Sequence, residues 1–394
     1  MATVFLRSGR DYRARSGHPW VYAGEIDRVE GSYDAGDIVD VRNHSSYLIG
    51  RGYINPRSAI TVRLLTSGNE RERAIDEDFW RERLLDAVSY RERVLPGEEA
   101  ARLVHSEGDR LPGLIVDRYG DVLVMQCLTK GIDDRKEMLA DLLEAVVRPG
   151  LGIYERSDVP ARTLEGLAET KGYLRGRFDT LMTITENGLR FKVDLANGQK
   201  TGYFLDQKLN RRAIAPFATG ARVLDVFTNV GTFALNAARA RAKRVTGVDI
   251  SAPALAWAGQ NAELNGLAGL VDFREANAFD ELRRLERERV RFDLIILDPP
   301  AFAKGKGSLE QAIRGYKEIN LRALKLLEPG GFLATASCSY HMIEPLFIEM
   351  LADAANDARV ALRLYQRRGQ SPDHPVVLAV PETSYLKFVI AQVL

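Results

Sequence analysis

After Gly220 the chain alternates between short apolar runs and longer segments with helical periodicity. Helical spacing is seen over residues 233–240 and 253–265. The apolar runs predict strands at residues 222–227, 244–249, 272–274, 292–298 and 331–337. Strands and helices in alternation indicate an α/β fold, a doubly wound and largely parallel sheet that binds ligands at the carboxyl ends of its strands.

Shorter strands with glycine-containing turns are predicted near the start of the chain, at residues 36–41, 47–54 and 59–65. They indicate a small β-barrel-like module over residues 1–72. The charged stretch 69–78 is typical of a linker, and a helix is predicted to follow over residues 79–94. The predicted apolar face of this helix consists of Phe79, Leu84, Leu85 and Val88.

The middle of the chain has a third pattern. Residues 114–127 predict two strands joined by a tight turn, and a helix over 133–147 and a strand over 152–156 follow. A hairpin with an Asn-Gly turn is predicted over 183–193. We therefore expect an α+β middle domain over residues 73–185 and an α/β domain over residues 186–394.

Composition narrows the protein class only slightly. The formal net charge is +1 and the charged residues are interspersed, so charge neither supports nor excludes an RNA partner. No apolar run approaches the ~20 residues of a membrane helix and the first residues lack a signal peptide's apolar stretch, so we expect a cytoplasmic protein without a membrane partner. Cys127 and Cys338 lie far apart, which favours reduced thiols over a disulfide framework, and no metal site is predicted.

The first predicted turn from strand to helix contains Asp225, Phe227, Asn229 and Gly231. A dinucleotide site would require Gly-x-Gly-x-x-Gly here, so that backbone amides reach a pyrophosphate. This turn has a single glycine behind an aspartate, which disfavours a phosphate cradle. The carboxylate suits a cationic nucleoside instead, and we predict S-adenosylmethionine as the cofactor.

The next two strand ends add polar candidates for the same cofactor. The second strand ends at Asp249-Ile250, where a carboxylate can accept hydrogen bonds from both hydroxyls of a ribose. Asn277-Ala278 follows the third strand, where an amide can meet the adenine edge. Helix capping is the alternative for Asp249, but polar residues after three successive strands favour cofactor binding.

The fourth strand ends in Asp298-Pro299-Pro300-Ala301-Phe302. Proline fixes the backbone direction and removes amide donors. We therefore expect Asp298 and Pro299 to face a planar substrate beside the methyl donor, with Phe302 stacked on a base. Such a strand end suits methylation of ring nitrogens, exocyclic amines and ring carbons, and it does not identify the atom.

Cys338 follows the fifth strand and favours a ring carbon. Carbon 5 of a pyrimidine is a poor nucleophile, so its methylation requires a thiolate that adds at carbon 6, whereas amine methylation needs no thiol. Cys338 and Asp298 are therefore the candidate catalytic residues. The alternative is that Cys338 is a small buried strand residue.

Residues 194–207 interleave polar and aromatic side chains without helical or strand periodicity. We predict a functional loop that folds over the donor or the target base. Its candidate contacts are Tyr203 for the cofactor and Gln199 and Lys200 for the substrate. A connector that packs Tyr203 and Phe204 against the core is an alternative compatible with this role.

These motifs resemble those of the RlmI-like bacterial methyltransferases, which make 5-methylcytosine in large-subunit ribosomal RNA. The resemblance spans essentially the whole chain and rests on Cys338, on Asp298-Pro299-Pro300, on residues 199–207, on Gly247-Val248-Asp249, on residues 18–22 and on residues 107–114.

The resemblance implies a class I (Rossmann-like) methyltransferase domain, an N-terminal PUA domain that binds RNA, and a middle domain that links them. It implies S-adenosylmethionine near Asp225, Phe227, Asp249, Asn277 and Asp298. It further implies Cys338 as the nucleophile, 23S ribosomal RNA or a large-subunit precursor as the partner, and a homodimer.

The chain departs from the family pattern at two positions. Asn277 stands where related enzymes often have Asp, and Thr232 stands where many have a second glycine, so we expect altered cofactor affinity without loss of activity. Residues 301–304 also lack the second cysteine that many RNA cytosine methyltransferases have there, so another group or a water must remove the carbon 5 proton. Methylation of an RNA amino group or ring nitrogen, and a non-catalytic RNA-binding role in ribosome assembly, are the alternative functions.

Overall fold

The computed structural model describes residues 1–302 and 309–394. In this part of the chain, no helix combines the length and the apolar character needed to cross a membrane. The backbone divides into two compact units. Unit 1 comprises Met1–Ile184, Val193–Leu205 and Pro372–Thr383, and unit 2 comprises Thr185–Lys192, Asp206–Ser371 and Ser384–Leu394.

Unit 1 begins with a sheet of six strands. They are β1 (Thr3–Leu6), β2 (Trp20–Val21), β3 (Ile26–Glu30), β4 (Ile38–Arg42), β5 (Leu48–Ile54) and β6 (Val62–Leu64). Their order is β2-β6-β5-β4-β1-β3, and β1 and β4 are parallel. Gly52 in β5 allows close approach of β6, because a Cβ there would lie 2.1 Å from the Arg63 carbonyl oxygen. The small β module and its three predicted strands are confirmed.

A second sheet in unit 1 packs against helices. Its strands, in the order β11-β10-β9-β8-β7, are β7 (Ala100–His105), β8 (Leu114–Tyr119), β9 (Val122–Cys127), β10 (Gly152–Ser157) and β11 (Thr170–Arg175). These helices are α2 (Glu77–Val94), α3 (Lys130–Asp133) and α4 (Lys136–Val147), whereas α1 (Tyr12–Arg15) contributes Ala14 to the core of the first sheet. The predicted helix over 133–147 is thus two helices, α3 and α4.

The buried face of α2 lacks one of the four predicted residues and includes two apolar residues, Trp80 and Ala87, that were not predicted. Phe79, Trp80, Leu84 and Ala87 are buried in the core, whereas the side chain of Leu85 is 44% exposed. Leu85 lies about 100° around the helix from Leu84, which turns it away from the sheet. The prediction was therefore wrong for Leu85.

The β12 (Leu181–Glu186) and β13 (Leu189–Asp194) strands form the predicted hairpin. Its turn residues Asn187 and Gly188 have φ values of 51° and 72°. Positive φ at both positions is the geometry that an Asn-Gly sequence favours in a two-residue hairpin turn.

Unit 2 contains a sheet of seven strands in the order β16-β15-β14-β17-β18-β20-β19. They are β14 (Arg222–Val226), β15 (Arg244–Asp249), β16 (Val271–Glu275), β17 (Phe292–Leu297), β18 (Leu327–Ser337), β19 (Leu362–Arg368) and β20 (Lys387–Val393). The first five strands of this order are parallel, while β20 runs antiparallel to both its neighbours. The five predicted strands are confirmed.

Helices cover both faces of this sheet. They are α5 (Lys208–Ala213), α6 (Ala215–Ala218), α7 (Thr232–Arg239), α8 (Ala252–Leu264), α9 (Ala278–Arg287), α10 (Leu309–Leu326) and α11 (Glu344–Ala358). Because side chains alternate across a strand, Leu224 and Val223 enter different cores. One core contains residues of α9, α10 and α11, and the other contains residues of α6 and α7. The sheet order reverses between β14 and β17, so ligands are expected at the carboxyl ends of these strands.

Candidate active site

Asp225 lies in β14 and is fully buried. Its Oδ2 accepts hydrogen bonds from the Thr228 hydroxyl at 2.5 Å and the Ala234 amide at 2.9 Å. Its Oδ1 is also buried, and no hydrogen-bond donor within the described ranges reaches it. Burial raises the pKa of Asp225 to about 7, although these two hydrogen bonds act to lower it. The Asp298 and Asp249 carboxylates raise the pKa further. An unsatisfied buried acceptor of this kind fits a cationic ligand group.

This carboxyl group gives a testable pH dependence. Because its pKa is higher in the folded chain than in the unfolded chain, its stabilising contribution is full below about pH 4 and is lost as the pH rises through about 7. We expect the Tm of the wild-type protein to fall relative to that of Asp225→Asn between about pH 4 and about pH 7, measured by calorimetry. A Tm difference between the two proteins that stays constant over this range would contradict the assignment.

The turn after β14 holds two residues other than glycine in the left-handed region. Phe227 has a φ of 68° and Asn229 a φ of 50°. The amides of Phe227 and Thr228 both donate to the Val248 carbonyl, at 2.8 and 3.0 Å, which fixes the turn on β15. Strained backbone of this kind is concentrated at functional sites. Gly231 has a φ of 84°, and a Cβ there would lie 3.0 Å from Phe273 Cζ.

Asp249 is half-buried at the end of β15. One carboxylate oxygen accepts from the Asn229 amide at 2.9 Å and the other from the Ser251 amide at 3.0 Å. The N-cap of α8 is Ser251, whose hydroxyl accepts from the Ala254 amide, so the capping alternative for Asp249 was wrong. Each carboxylate oxygen can accept a further hydrogen bond. The neighbouring Ile250 is 67% exposed, as an apolar contact for a planar ring would be.

Asn277 has a structural role that the sequence prediction missed. It is exposed, and its Oδ1 accepts from the amides of Phe279 and Asp280 as the N-cap of α9. An asparagine followed by acidic residues at a helix start is a recognisable capping signal. Capping explains Asn277 without a ligand, so its contact with adenine stays a prediction. Ala278, the first residue of α9, is buried.

Asp298 follows β17 and is half-buried, and its side chain is held by an amide. The Gln207 Nε2 donates to Asp298 Oδ1 at 2.8 Å. Gln207 is oriented in turn, because Asn210 Nδ2 donates to its Oε1 at 2.7 Å. Arg368 Nε donates to Asn210 Oδ1 at 2.9 Å and completes this chain of side-chain hydrogen bonds. Asn210 and Arg368 were not predicted, since 158 residues separate them and neither belongs to a local motif.

Phe302 is half-buried in an aromatic cluster. Its ring centroid lies 4.7 Å from that of Tyr316, 6.1 Å from Phe279 and 6.4 Å from Phe227. These contacts pack the end of the Asp-Pro-Pro segment against α10. Pro299 is buried. The segment 301–304 has no cysteine, and its last two residues, Ala303 and Lys304, lie outside the described residues.

Cys338 directly follows β18 and is only partly buried. Its neighbours Ser337 and Ser339 are 0% and 1% exposed, so the thiol is more accessible than the residues beside it. This exposure argues against the alternative that Cys338 only fills the core. Cys127 of unit 1 is buried, and burial raises the pKa of its thiol, so it is a poor nucleophile.

Strand register brings Asp298 and Cys338 to one edge of the sheet. The parallel strands β17 and β18 pair Leu297 with Thr335. Asp298 and Cys338 therefore follow the carboxyl ends of two adjacent strands. Asp225 and Asp249 belong to the two strands on the other side of β17. The acidic residues predicted on separate strands are therefore brought together with the thiol.

The predicted loop residues belong to the other unit. Gln199 and Lys200 are exposed and Tyr203 is buried within unit 1. Thr201 anchors this loop, since its hydroxyl donates to Asp117 Oδ2 at 2.5 Å and lies 2.9 Å from the Tyr119 hydroxyl. The connector alternative thus describes part of the loop, and the predicted ligand contacts of Gln199, Lys200 and Tyr203 stay predictions.

Comparison with known proteins identifies the family. A family model described as S-adenosylmethionine-dependent methyltransferase matches residues 168–388, and one described as a PUA-like domain matches residues 4–67. A relative from Shewanella denitrificans is 44% identical, and one from Photobacterium profundum is 40% identical. The alignments cover 99% and 98% of both chains, and both relatives are named ribosomal RNA large subunit methyltransferase I.

A solved structure has the same fold as this chain. A structure from Streptococcus mutans described as a SAM-dependent methyltransferase matches with a TM-score of 0.83 at 20% identity, over 100% of each chain. This chain therefore belongs to the S-adenosylmethionine-dependent methyltransferases, in the family that includes these ribosomal RNA large subunit methyltransferase I relatives. The predicted Rossmann-like fold, PUA-like domain and S-adenosylmethionine cofactor are confirmed.

Proposed function

We propose that this protein methylates carbon 5 of a cytosine in large-subunit ribosomal RNA through a covalent bond between Cys338 Sγ and carbon 6. The names of the relatives support the RNA substrate, and the PUA-like domain suits RNA binding. The observation that carries the proposal is the half-exposed Cys338 beside Asp298 at the ends of adjacent parallel strands. An amino or ring-nitrogen methyltransferase has no use for a thiol at this position.

The reaction assigns a separate task to each residue. The Cys338 thiolate adds to carbon 6, and the displaced electron pair makes carbon 5 an enamine nucleophile. S-adenosylmethionine supplies the methyl group that carbon 5 accepts. Loss of the carbon 5 proton to a base or water then breaks the S–C6 bond and restores the thiolate. Asp298, positioned by Gln207, hydrogen-bonds the cytosine edge and stabilises the adduct.

The proposed site residues contact either the cofactor or the RNA substrate. Asp225 Oδ1 has the unmet acceptor that a cationic amino acid group requires, and Asp249 retains acceptor capacity for a ribose. The other proposed cofactor contacts are Phe227, Asn229, Gly231, Ile250, Asn277, Ala278, Asp298 and Tyr203. The proposed substrate contacts are Pro299, Phe302, Gln199 and Lys200.

Asp249→Asn is expected to weaken binding of S-adenosylhomocysteine by ~10- to 100-fold, because a charged acceptor for ribose hydroxyls is replaced by a neutral one. Isothermal titration calorimetry measures the Kd. Asp272→Asn is the matched control, since Asp272 lies toward the start of the neighbouring strand β16 and accepts from Arg274. Equal Kd values for wild type and Asp249→Asn would remove Asp249 from the cofactor site.

The proposed product can be identified directly. Purified protein, methyl-labelled S-adenosylmethionine and ribosomal RNA from a strain lacking the gene are combined, and the RNA is digested to nucleosides. We expect the label in 5-methylcytidine. Label in N4-methylcytidine or a methylated purine would support the amino or ring-nitrogen alternative, and no incorporation into any ribosomal RNA would support an assembly factor.

The larger organisation is also proposed. We assign residues 1–72 to an RNA-binding PUA-like domain, residues 73–185 to the linking domain and residues 186–394 to the methyltransferase domain. A homodimer remains a prediction, and light scattering of the purified protein measures it.

A further inference from the structure

We infer that the Lys387 amine accepts the thiol proton of Cys338 and then holds the resulting thiolate as an ammonium–thiolate pair. Lys387 would thus generate the nucleophile that begins the reaction. This inference rests on the proposed function, which assigns Cys338 the attack on carbon 6.

Lys387 is held beside the Cys338 segment by its strand and by its side chain. It is the first residue of β20, which pairs with β18 in a register that places Lys387 opposite Ser337. The Lys387 side chain is buried, and its Nζ donates to the Ser339 carbonyl at 2.6 Å. Lys387 therefore contacts the residues on both sides of Cys338.

The hydrogen bonds of Lys387 suit both of its protonation states. Nζ also donates to the Tyr385 carbonyl, at 2.7 Å. A neutral amine satisfies the two carbonyls with its two N–H groups and keeps its lone pair for a proton. An ammonium satisfies the same carbonyls and keeps one N–H for an anion. In the transfer the S–H bond breaks, an N–H bond forms and the electron pair stays on sulfur.

The electrostatics agree with this geometry. Burial lowers the pKa of Lys387 to about 8, and the Cys338 thiolate acts in the opposite direction. Burial therefore brings the pKa of the Lys387 amine close to the ~8.5 of an ordinary cysteine thiol. Cys338 is the one charged group of the described chain that shifts the pKa of Lys387, and no carboxylate does so.

Two tyrosines contact the neighbours of this pair, Tyr316 at Ser339 and Tyr385 at Lys387, and the Asp298 carboxylate lies at the same edge of the sheet. The Tyr316 hydroxyl of α10 lies 3.0 Å from Ser339 Oγ, and burial together with the Cys338 charge raises its pKa. Tyr316 is therefore neutral at physiological pH and does not compete for the thiol proton. The Tyr385 hydroxyl donates to Asp206 Oδ2 at 2.7 Å.

The pair is tested by the pH dependence of Cys338 alkylation by iodoacetamide in the full-length protein. Mass spectrometry of the Cys338 peptide separates this reaction from that of Cys127. We expect the wild-type pH midpoint to lie below ~8.5, and Lys387→Met to raise it by about one unit and slow alkylation at pH 7 by ~10-fold. Lys317→Met is the control, because Lys317 is paired with Asp357 on the surface of α10.

The outcomes separate the inference from the proposed function. A midpoint unchanged by Lys387→Met overturns the inference, whatever happens to methylation. If that variant does not fold, as judged by its Tm, a wild-type midpoint at or above ~8.5 overturns it instead. A raised midpoint with full methyl transfer by Cys338→Ala would keep the lysine–cysteine pair and reject Cys338 as the nucleophile.

Discussion

Cys338→Ala is expected to reduce methyl transfer to RNA by at least ~1,000-fold, because carbon 5 of cytosine becomes nucleophilic only after a thiolate has added to carbon 6. The change removes one sulfur from a partly exposed position, so the fold and the affinity for S-adenosylhomocysteine should persist. Rates are measured under single-turnover conditions with labelled S-adenosylmethionine, and the Kd by calorimetry.

Cys127→Ala is the matched control for this prediction. Cys127 is buried in unit 1, so the variant should lose some stability and keep its methyl transfer rate within a few-fold of wild type. RNA containing 5-fluorocytidine adds a direct readout, because fluorine cannot leave as the proton does. A covalent protein–RNA adduct is expected with wild type and Cys127→Ala and not with Cys338→Ala. Undiminished product formation by Cys338→Ala would eliminate the covalent route.

Asp298→Asn is expected to lower kcat by ~100- to 1,000-fold. A carboxyl group can share a proton with the cytosine ring as the adduct forms, whereas an amide cannot. Gln207 already donates to Asp298 Oδ1, so the wild-type carboxylate is positioned before substrate binds. Single-turnover rates at saturating RNA and S-adenosylmethionine measure the effect.

Asp293→Asn is the control for Asp298→Asn. Asp293 lies at the other end of the same strand, β17, and pairs with Arg222 at 3.2 Å. The Asp293→Asn substitution should lower the free energy of unfolding more than it lowers kcat. The role of Asp298 would be rejected if kcat of Asp298→Asn stayed within about tenfold of wild type, since removal of a transition-state hydrogen bond costs more than that.

The local features of this protein were predictable from sequence. The strands of unit 2 have apolar cores bounded by polar or glycine residues, so β14 to β17 were predicted to within about one residue of each end. β18 begins at Leu327, before its predicted start at Gly331. The positions of Asp249 and Asp298 at the carboxyl edge of the sheet follow from these strand predictions, because the end of a parallel strand fixes where the next side chain lies. The Asn187-Gly188 turn was equally clear, since few other residues adopt positive φ in succession.

Features that depend on distant pairing were not predictable. Lys387 reads as an ordinary strand residue, and its contact with Ser339 requires β20 to insert beside β18 in an antiparallel register. The same applies to Arg368, which reaches Asn210 only after the sheet has formed. Burial of Asp225 was missed as well, because a sequence does not show whether a strand-end carboxylate faces solvent or the core.

The most direct test of the central claim compares 5-methylcytosine positions in ribosomal RNA from a wild-type strain and a strain that lacks the gene. We predict that one or more 5-methylcytosine marks in the large-subunit RNA disappear in the deletion strain. The wild-type gene should restore them, and the Cys338→Ala gene should not. Persistence of every 5-methylcytosine mark in the deletion strain would contradict the proposed function.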